Sequence, residues 1–409
     1  MPDMNMAVAR EPHAIRNLTM VCTGLTSAFV AQTMLLLAVP LRALELGAGP
    51  SLLGGLMAAP YLLPLVLAIP LGGTVTRLGA QKMFLMGAVG MMLAPWVSLL
   101  APTLGGLLAT QVILGLAHLV MVIAAQSVVA GLGQGAVLER YFGWYTMCPS
   151  GGQLVGPLLA GHMIDTLSTT GVFATIGVIP ALGVASACFL AGSARRSLAT
   201  PSSLLSYRAQ ASLLCGNLGV QLSLVVTVAV LFALGAHAAF LPIYLEELAF
   251  SATLIGVLVS LRALAAMLIR LIMPQVISAL GGRSRTMIAS VATVALGLSL
   301  TGLSESVWLL SLFAILVGLG SGISQPLSMV ILTEVVRPEQ RSSALGMRLM
   351  GNRGAQVVAP LLLGFIAELA GFTLTFLVAG ALLLPVMAIV VRLGAAYSRL
   401  ENAATRGEG

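Results

Sequence analysis

The chain of 409 residues is 58% hydrophobic and only 8% charged, with a formal net charge of +7. Soluble proteins carry about 25% charged residues, so this chain has too little polar surface to cover a core in water. The composition excludes a soluble protein and predicts an integral membrane protein. The apolar runs are about 20 residues long, as a membrane-spanning helix requires, and they lack the alternation of a β-barrel strand.

Twelve apolar segments can be followed along the chain as predicted spans. They lie at about residues 17–40, 51–74, 83–101, 103–131, 142–165, 170–192, 213–244, 252–280, 285–304, 307–335, 343–369 and 371–394. An even number of spans puts both termini on one side of the membrane. The loops on that side carry most of the arginines and lysines, whereas the opposite loops carry one, Arg42. By the positive-inside rule, we expect both termini in the cytoplasm, in a bacterial inner membrane.

One stretch of the sequence occurs twice. Residues 143–165 (GWYTMCPSGGQLVGPLLAGHMID) align without a gap with residues 346–368 (GMRLMGNRGAQVVAPLLLGFIAE), and nine of the 23 positions are identical. A second pair of stretches, residues 39–56 and 241–258, aligns with one gap, which pairs Gly55 with Gly256. Self-similarity at a constant offset indicates a duplicated architecture.

The duplication predicts the fold and the domain boundaries. We predict an all-α membrane protein with twelve transmembrane helices in two six-helix parallel repeats. The predicted halves are residues 1–192 and 213–409, joined by a cytoplasmic linker at residues 193–212.

The loop after the second span, GGTVTRLGAQK, resembles a motif of the major facilitator superfamily. That motif reads Gly-x-x-x-Asp-Arg-x-Gly-x-Arg-Lys, and Gly72, Arg77, Gly79 and Lys82 fit it, whereas Thr76 replaces the acidic residue. A degenerate copy follows the eighth span. The resemblance implies that this loop latches the cytoplasmic side, which makes Arg77 a gating candidate. With Thr76 the latch loses its charge, so the resemblance also implies a looser inward gate.

Span five carries a second motif, formed by Gly152, Gly156, Pro157 and Gly161. It is similar to the Gly-x-x-x-Gly-Pro motif of the superfamily's drug–proton antiporters, which implies export. Small residues let two helices approach closely, so we interpret these four as a helix-packing motif. Span four lacks the arginine that the same subfamily carries there. The resemblance is therefore specific for the superfamily and mixed for the subfamily.

Four arginines lie inside predicted spans: Arg262 and Arg270 in span eight, and Arg348 and Arg353 in span eleven. An arginine near the middle of a membrane helix costs roughly 2.5–3.5 kcal/mol on insertion scales, so each needs a polar partner or a cavity. We expect Arg348 to pair with Glu334 near the cytoplasmic end of span ten, as a structural or gating ion pair. Arg262, Arg270 and Arg353 are candidates for binding an anionic substrate near the midplane. A purely structural role, bonded to helix-end carbonyls, is the alternative for Arg353.

Neutral polar side chains complete the set of cavity candidates: Gln32, Gln126, Tyr145, Gln325, Asn352 and Gln356. His118 in span four is a candidate for carrying coupling protons, since histidine titrates near neutral pH. A packing role is the commoner one for a lone histidine in a membrane helix. No aspartate or glutamate lies in the middle of a span, which argues against an ordinary exchanger of cationic drugs for protons.

These features predict a secondary transporter that moves a small organic solute by alternating access, at a central site between the halves. The leading hypothesis is a proton-coupled exporter of anionic or zwitterionic amphipathic compounds. An importer or facilitator of an organic anion, such as a carboxylate or a metal chelate, is the main alternative. A receptor or scaffold without transport is the minor one.

Partners of other classes are not expected. The sequence has no phosphate-binding Gly-x-x-x-x-Gly-Lys loop and no pattern typical of a catalytic nucleophile or a metal site. We therefore expect a monomer in the lipid bilayer with no cofactor, no metal, no nucleic-acid partner and no enzymatic activity.

Overall fold

A computed structural model describes residues 3–133, 135–190, 213–337 and 340–406. Within these ranges the chain forms helices and no strands. The helices are α1 (Asp3–Glu45), α2 (Pro50–Leu78), α3 (Ala80–Leu100), α4 (Leu104–Ala130), α5 (Gly135–Thr166), α6 (Thr169–Val178), α7 (Ala181–Phe189), α8 (Leu218–Glu247), α9 (Ala252–Leu271), α10 (Met273–Ala279), α11 (Arg283–Thr301), α12 (Val307–Glu334) and α13 (Arg341–Arg406). The predicted linker at residues 193–212 lies outside the described residues.

Proline and glycine interrupt several predicted spans. Span six is divided into α6 and α7 at Pro180, and span eight into α9 and α10 just before Pro274. Proline has no N–H to donate, and its ring obstructs the preceding turn. Spans eleven and twelve both lie in α13, where Gly371 leaves the helix with φ 76° and ψ 171°, a conformation that favours glycine. With these interruptions, the helices correspond to the twelve predicted spans.

Ten helical stretches among the described residues are long and apolar enough to cross a membrane. They include residues 344–399 as one stretch, although Gly371 divides it in two. Helix α5 is not among them, because its glycines, prolines, Gln153 and His162 lower its hydropathy. Since α5 carries the first copy of the repeated sequence and α13 the second, we count α5 with the spans. The chain is an all-α membrane protein with twelve transmembrane helices in two six-helix repeats.

The helices form two compact units. Unit 1 contains α1, α2 from Ala59 onward, α3 to α7, and Phe250–Ser260. Unit 2 contains Gly49–Ala58, α8 and the chain from Leu261 through α13. In unit 1, α1 packs on α5 and α3 packs on α4; in unit 2, α8 packs on α13 and α11 packs on α12. The packing of the first repeat therefore recurs in the second.

A matched pair of glycines sets the register of the repeat in α4 and α12. A Cβ on Gly115 would lie 2.0 Å from the carbonyl oxygen of Pro60, and a Cβ on Gly318 would lie 2.3 Å from that of Arg262. Only glycine permits such a close approach of two backbones. Gly115 and Gly318 are 203 residues apart, the offset of the repeated stretch in α5 and α13. The four helices can therefore be compared position by position.

The second pair of repeated stretches aligns in the structure without a gap. A Cβ on Gly256 would lie 2.3 Å from the carbonyl oxygen of Pro157, and a Cβ on Gly54 would lie 2.2 Å from that of Pro360. Because Pro157 and Pro360 are matched in the repeat, Gly54 is the counterpart of Gly256. Gly55, the counterpart predicted from the sequence, has no such neighbour, so that pairing is wrong.

Acidic side chains stabilise the starts of α2 and α9. Asp165 accepts hydrogen bonds from the backbone amides of Ala252 at 3.0 Å and Thr253 at 2.8 Å, within unit 1. Glu368 accepts one from the amide of Ser51 at 3.0 Å, within unit 2. The first amides of a helix have no acceptor inside the helix, and a carboxylate there also complements the helix dipole. Asp165 and Glu368 occupy the same repeat position and cap the two helices in the same way.

Candidate functional site

A proline inside α12 determines where one of the arginines binds. Pro326 has no N–H, so the carbonyl of Gly322, four residues earlier, lacks its usual helical donor. Arg270, in the last turn of α9, donates its Nε–H to this carbonyl at 3.2 Å. This contact supports a structural role for Arg270, which the sequence places among the candidates for binding substrate.

Arg348, in the first turns of α13, contacts the same part of α12. Its Nη2 donates to the backbone oxygen of Gln325 at 3.0 Å, to the side-chain Oε1 of Gln325 at 3.0 Å and to the hydroxyl of Ser328 at 3.3 Å. All three acceptors are neutral, and all contact the same guanidinium nitrogen. The structure thus brings together two predicted candidates, Arg348 and Gln325, and adds Ser328. We call these three residues the Arg348 cluster.

The predicted ion pair between Arg348 and Glu334 is wrong. Glu334 is the last residue of α12, and both of its carboxylate oxygens accept hydrogen bonds from Arg283, the first residue of α11. Helix α12 rises about 13 Å between Gln325 and Glu334, so a guanidinium that contacts Gln325 is too far from the acid. The arginine in the helix interior therefore has neutral partners, while the acid has a partner at the helix end.

Two buried donors of the Arg348 cluster have no acceptor among the described residues: Nε of Arg348 and Nε2 of Gln325. The network determines the orientation of the Gln325 amide, because its Oε1 accepts from Arg348 and its NH₂ group then points away. A buried donor without an acceptor costs about 1–3 kcal/mol, and more when it is charged. Two such donors, one of them on a cation, are complementary to a carboxylate or another anionic group.

Two hydroxyl groups on α8, outside the Arg348 cluster itself, contact Ser328. Thr227 donates to the Ser328 hydroxyl at 2.9 Å, and Ser223 donates to the Ser328 carbonyl oxygen at 2.6 Å. All three residues are fully buried. Sequence reasoning missed them, although Ser223 and Thr227 are four residues apart and therefore lie on one face of an otherwise apolar helix. That spacing was the available signal.

One face of α13 continues from Arg348 through further polar side chains. Asn352 and Gln356 follow at intervals of four residues, which places them on the same helix face. Gln356 accepts a hydrogen bond from Nη1 of Arg353 at 3.2 Å. The Oδ1 of Asn352 is buried and has no partner in the described part of the chain. The predicted candidates Asn352, Arg353 and Gln356 are therefore neighbours on α13.

Arg262 lies on α9, close to α8 and to the other arginine of that helix. The nearby groups are the guanidinium of Arg270 on the same helix and the imidazole of His237 on α8. His237 is buried, and neither ring nitrogen has a hydrogen-bond partner among the residues that the structure describes. No hydrogen bond in those residues joins Arg262 to the Arg348 cluster. The four arginines of the spans therefore have different surroundings.

The candidates in unit 1 form a smaller polar group. Tyr145 is buried in α5, and its hydroxyl hydrogen-bonds with Gln126 of α4. Gln32 is half-buried on α1. The structure thus brings Tyr145 and Gln126 together, but the group carries no charge.

The two gating or coupling candidates of unit 1 have different environments. His118 is buried, and its ring stands edge-on to the ring of Phe29, with centroids 4.6 Å apart. Arg77 is exposed near the end of α2. The contact of His118 with an aromatic ring supports the packing role for this residue.

The predicted packing motif of α5 lies against two other helices. A Cβ on Gly152 or Gly156 would lie 2.3 or 2.0 Å from side-chain atoms of α1, and a Cβ on Gly161 would lie 2.2 Å from the carbonyl oxygen of Ala252. The carbonyl of Pro157 is the atom that faces Gly256. Each contact is too close for a larger side chain.

The comparisons with known proteins identify the family. The family model of the Major Facilitator Superfamily matches residues 21–222 and again residues 223–407, one match for each repeat. The chain belongs to the major facilitator superfamily. The prediction made from the two sequence motifs is confirmed at this level. Because the superfamily consists of membrane transporters, the chain is a transporter and not an enzyme.

Solved structures with this fold align with almost the whole chain. The nucleoside transporter NupG aligns with a TM-score of 0.77 at 14% identity, covering 93% of this chain and 98% of NupG. A POT family transporter in complex with 5-aminolevulinic acid has a TM-score of 0.76 at 15% identity, with 93% and 96% covered. The human organic anion transporter MFSD10 (TETRAN) aligns with a TM-score of 0.64 at 19% identity, covering 92% of this chain and 99% of MFSD10. These identities establish the fold alone. No curated protein matches in a sequence search.

Proposed function

We propose that the protein is a secondary transporter for a small organic anion or zwitterion that binds at the Arg348 cluster. The observation that carries the proposal is the pair of buried donors, Nε of Arg348 and Nε2 of Gln325, with no acceptor among the described residues. A substrate carboxylate that reaches Nε of Arg348 accepts a charge-assisted hydrogen bond from the guanidinium. A cationic substrate would leave the donors unsatisfied and would meet a like charge.

The charges of the spans favour the same class of substrate. Interior positions carry four arginines and no mid-span aspartate or glutamate, whereas an exchanger of cationic compounds needs a buried acid. Two structural neighbours are known with organic acids: one is an organic anion transporter, and another was solved with 5-aminolevulinic acid. Transport of an organic acid is therefore compatible with this fold, and the choice of substrate class rests on the arginines.

Export coupled to protons is our proposal for direction and energy source. It is supported by the Gly156–Pro157 motif of α5, which is similar to that of the superfamily's drug–proton antiporters. His118 is the candidate for the proton-carrying group that the sequence offers, although its contact with Phe29 favours packing. Import or facilitated diffusion of an organic anion is the second candidate, because Thr76 replaces the acidic residue of the cytoplasmic loop and no carboxylate lies in mid-span.

Flux into proteoliposomes distinguishes these two candidates. Uptake of 2-naphthoate above its equilibrium level, driven by a pH gradient with the acidic side inside and absent from protein-free liposomes, is the result expected for exchange with protons. Passive entry of the neutral acid is opposed by this gradient. If the protein only accelerates the equilibration of 2-naphthoate, and the pH gradient does not change its rate or extent, the protein is a facilitator. We also propose a monomer in a bacterial inner membrane with both termini in the cytoplasm, supported by the distribution of arginine and lysine among the loops.

Three ligands that share a naphthalene ring and differ in charge test the proposed site: 2-naphthoate, neutral 2-naphthamide and cationic 2-naphthylmethylammonium. We expect 2-naphthoate to raise the melting temperature of the purified protein more than the other two, and Arg348→Gln to remove this increase. Arg283→Gln is the matched control, because it removes one arginine that binds Glu334, outside the Arg348 cluster. Stabilisation by the cation alone, or an increase with 2-naphthoate that survives Arg348→Gln, would contradict the proposal.

A further inference from the structure

The Ser328 hydroxyl uses all of its hydrogen-bonding capacity next to Arg348. A hydroxyl has one hydrogen to donate and two lone pairs that accept. Ser328 donates to the carbonyl of Gln325 at 3.0 Å, and it accepts from Thr227 at 2.9 Å and from Nη2 of Arg348 at 3.3 Å. Because Thr227 donates to Ser328, the Ser328 hydrogen is directed toward Gln325, and a lone pair is left for the arginine.

This network holds the Arg348 guanidinium by one nitrogen. Nη2 makes all three hydrogen bonds to Gln325 and Ser328, whereas the buried Nε has no acceptor in the described residues. A guanidinium anchored in this way keeps its plane in one orientation while other donors stay available. A fixed plane directs the remaining Nε–H in one direction, where it can make a charge-assisted hydrogen bond to an anion.

The same helices pack in unit 1 without these hydroxyls. The ungapped pairing of residues 39–56 with 241–258 gives an offset of 202 between α1 and α8, so Ser223 and Thr227 correspond to Val21 and Leu25. At the offset of 203 in α12 and α13, Ser328 corresponds to Ala125 and Arg348 to Tyr145. All four residues of unit 1 are buried. Helix packing at this place therefore does not require hydroxyl groups. They occur in the repeat that has the arginine.

We propose that Ser328 and Thr227 are positioning residues that hold the Arg348 guanidinium in the orientation in which it binds the substrate anion. The inference rests on the proposed function, because it concerns the same site. Thr227 acts through Ser328, and Ser328 acts through Arg348, so neither needs to touch the substrate. Removing the Thr227 hydroxyl should therefore change the affinity for anions more than it changes folding.

Two substitutions on α8 separate positioning from packing. Thr227→Val keeps the shape of the side chain and removes the hydroxyl that orients Ser328. Ser223→Ala removes an equally buried hydroxyl of the same helix, whose hydrogen bond goes to the Ser328 backbone oxygen instead. We expect Thr227→Val to weaken 2-naphthoate binding by about three- to tenfold, the effect of one net hydrogen bond. Ser223→Ala should leave the affinity within about twofold, although both variants lower the melting temperature without ligand.

A conservative replacement and a double-mutant cycle complete the test. Thr227→Ser retains the hydroxyl and should restore the affinity. In an Arg348→Lys background, Thr227→Val should have no further effect on 2-naphthoate binding, because there is no guanidinium left to orient. Independent sites would instead show additive losses.

The outcomes distinguish this inference from the proposed function. Equal losses of affinity in Thr227→Val and Ser223→Ala, or additivity of Thr227→Val with Arg348→Lys, would overturn the positioning role. If Arg348→Gln abolishes binding and Thr227→Val does not change it, the proposed function stands and the positioning role alone is overturned. If Arg348→Gln still binds 2-naphthoate, the proposed function fails, and the positioning role fails with it.

Discussion

At five matched positions, the second repeat has polar side chains and an arginine, whereas the first repeat has four apolar side chains and a tyrosine. In unit 2 these positions hold Ser223, Thr227, Gln325, Ser328 and Arg348. In unit 1 they hold Val21, Leu25, Val122, Ala125 and Tyr145. One set is a hydrogen-bonded network around a cation, and the other is apolar except for a phenol that bonds with the neighbouring Gln126. In unit 2 the arginine donates to Gln325 and Ser328, and Ser223 and Thr227 donate to Ser328 in turn. The hydroxyl groups thus occur in the repeat that carries the buried charge.

The largest expected effect comes from placing the charge in the wrong unit. Tyr145→Arg puts a guanidinium where Val122 and Ala125 offer no acceptor side chain, so we expect unfolding free energy to fall by roughly 2.5–3.5 kcal/mol. Chemical denaturation in detergent, followed by tryptophan fluorescence, measures this loss. Tyr145→Phe is the control and should cost about 1 kcal/mol, the value of its hydrogen bond. A stable Tyr145→Arg variant would show that the surrounding acceptors are unimportant.

The reverse exchange tests whether the arginine of unit 2 is needed for anion binding. Arg348→Tyr gives unit 2 the residue of unit 1, and we expect affinity for 2-naphthoate to fall by about 10- to 100-fold, because hydrogen bonds from charged groups contribute about 1.5–3 kcal/mol. Titration followed by thermal shift measures the change. If the Arg348→Tyr protein binds 2-naphthoate as tightly as the parent protein, Arg348 does not bind the anion.

The packing of the first and fifth helices of each repeat also differs. In unit 1, a Cβ on Gly156 would lie 2.0 Å from Oγ1 of Thr33; in unit 2, the small residue is on the other helix, and a Cβ on Gly235 would lie 3.3 Å from Ala359. We expect Gly156→Ala to cost about 1–3 kcal/mol of stability through overpacking, and Gly235→Ala less than about 1 kcal/mol. Denaturation midpoints of the two variants test this, and equal costs would contradict it.

The smallest expected difference concerns the two carboxylate caps. Asp165 accepts two backbone hydrogen bonds and Glu368 accepts one. Asp165→Ala should therefore cost about 1–2 kcal/mol, and Glu368→Ala about 0.5–1 kcal/mol. The melting temperatures of the two variants provide the measurement. A larger loss for Glu368→Ala would show that the count of hydrogen bonds does not rank these caps.

The sequence predicted the family, the helices and the location of the charges well, because each is a property of local composition. Twenty apolar residues in a row have few alternatives to a membrane helix, and Arg348 and Gln325 stand out in such a segment as candidates. The predicted pair of Arg348 and Glu334 is wrong because opposite charge and similar depth do not specify a contact. Neutral oxygens of α12 lie closer to the guanidinium than the acid does, and a sequence does not reveal which turn of one helix faces another.

The amino-acid sequence is therefore sufficient to predict a twelve-helix membrane transporter of duplicated architecture whose second repeat carries arginines in its spans. The constant offset between the copies is enough to show that Tyr145 and Arg348 occupy the same place. The surroundings of these two residues depend on helix packing. Ser328 and Thr227 are about 100 residues apart in the chain, and their hydroxyl groups form a network only when the helices pack. Local patterns set the elements, but the contacts of a buried charge depend on which helix faces meet, and packing alone determines that.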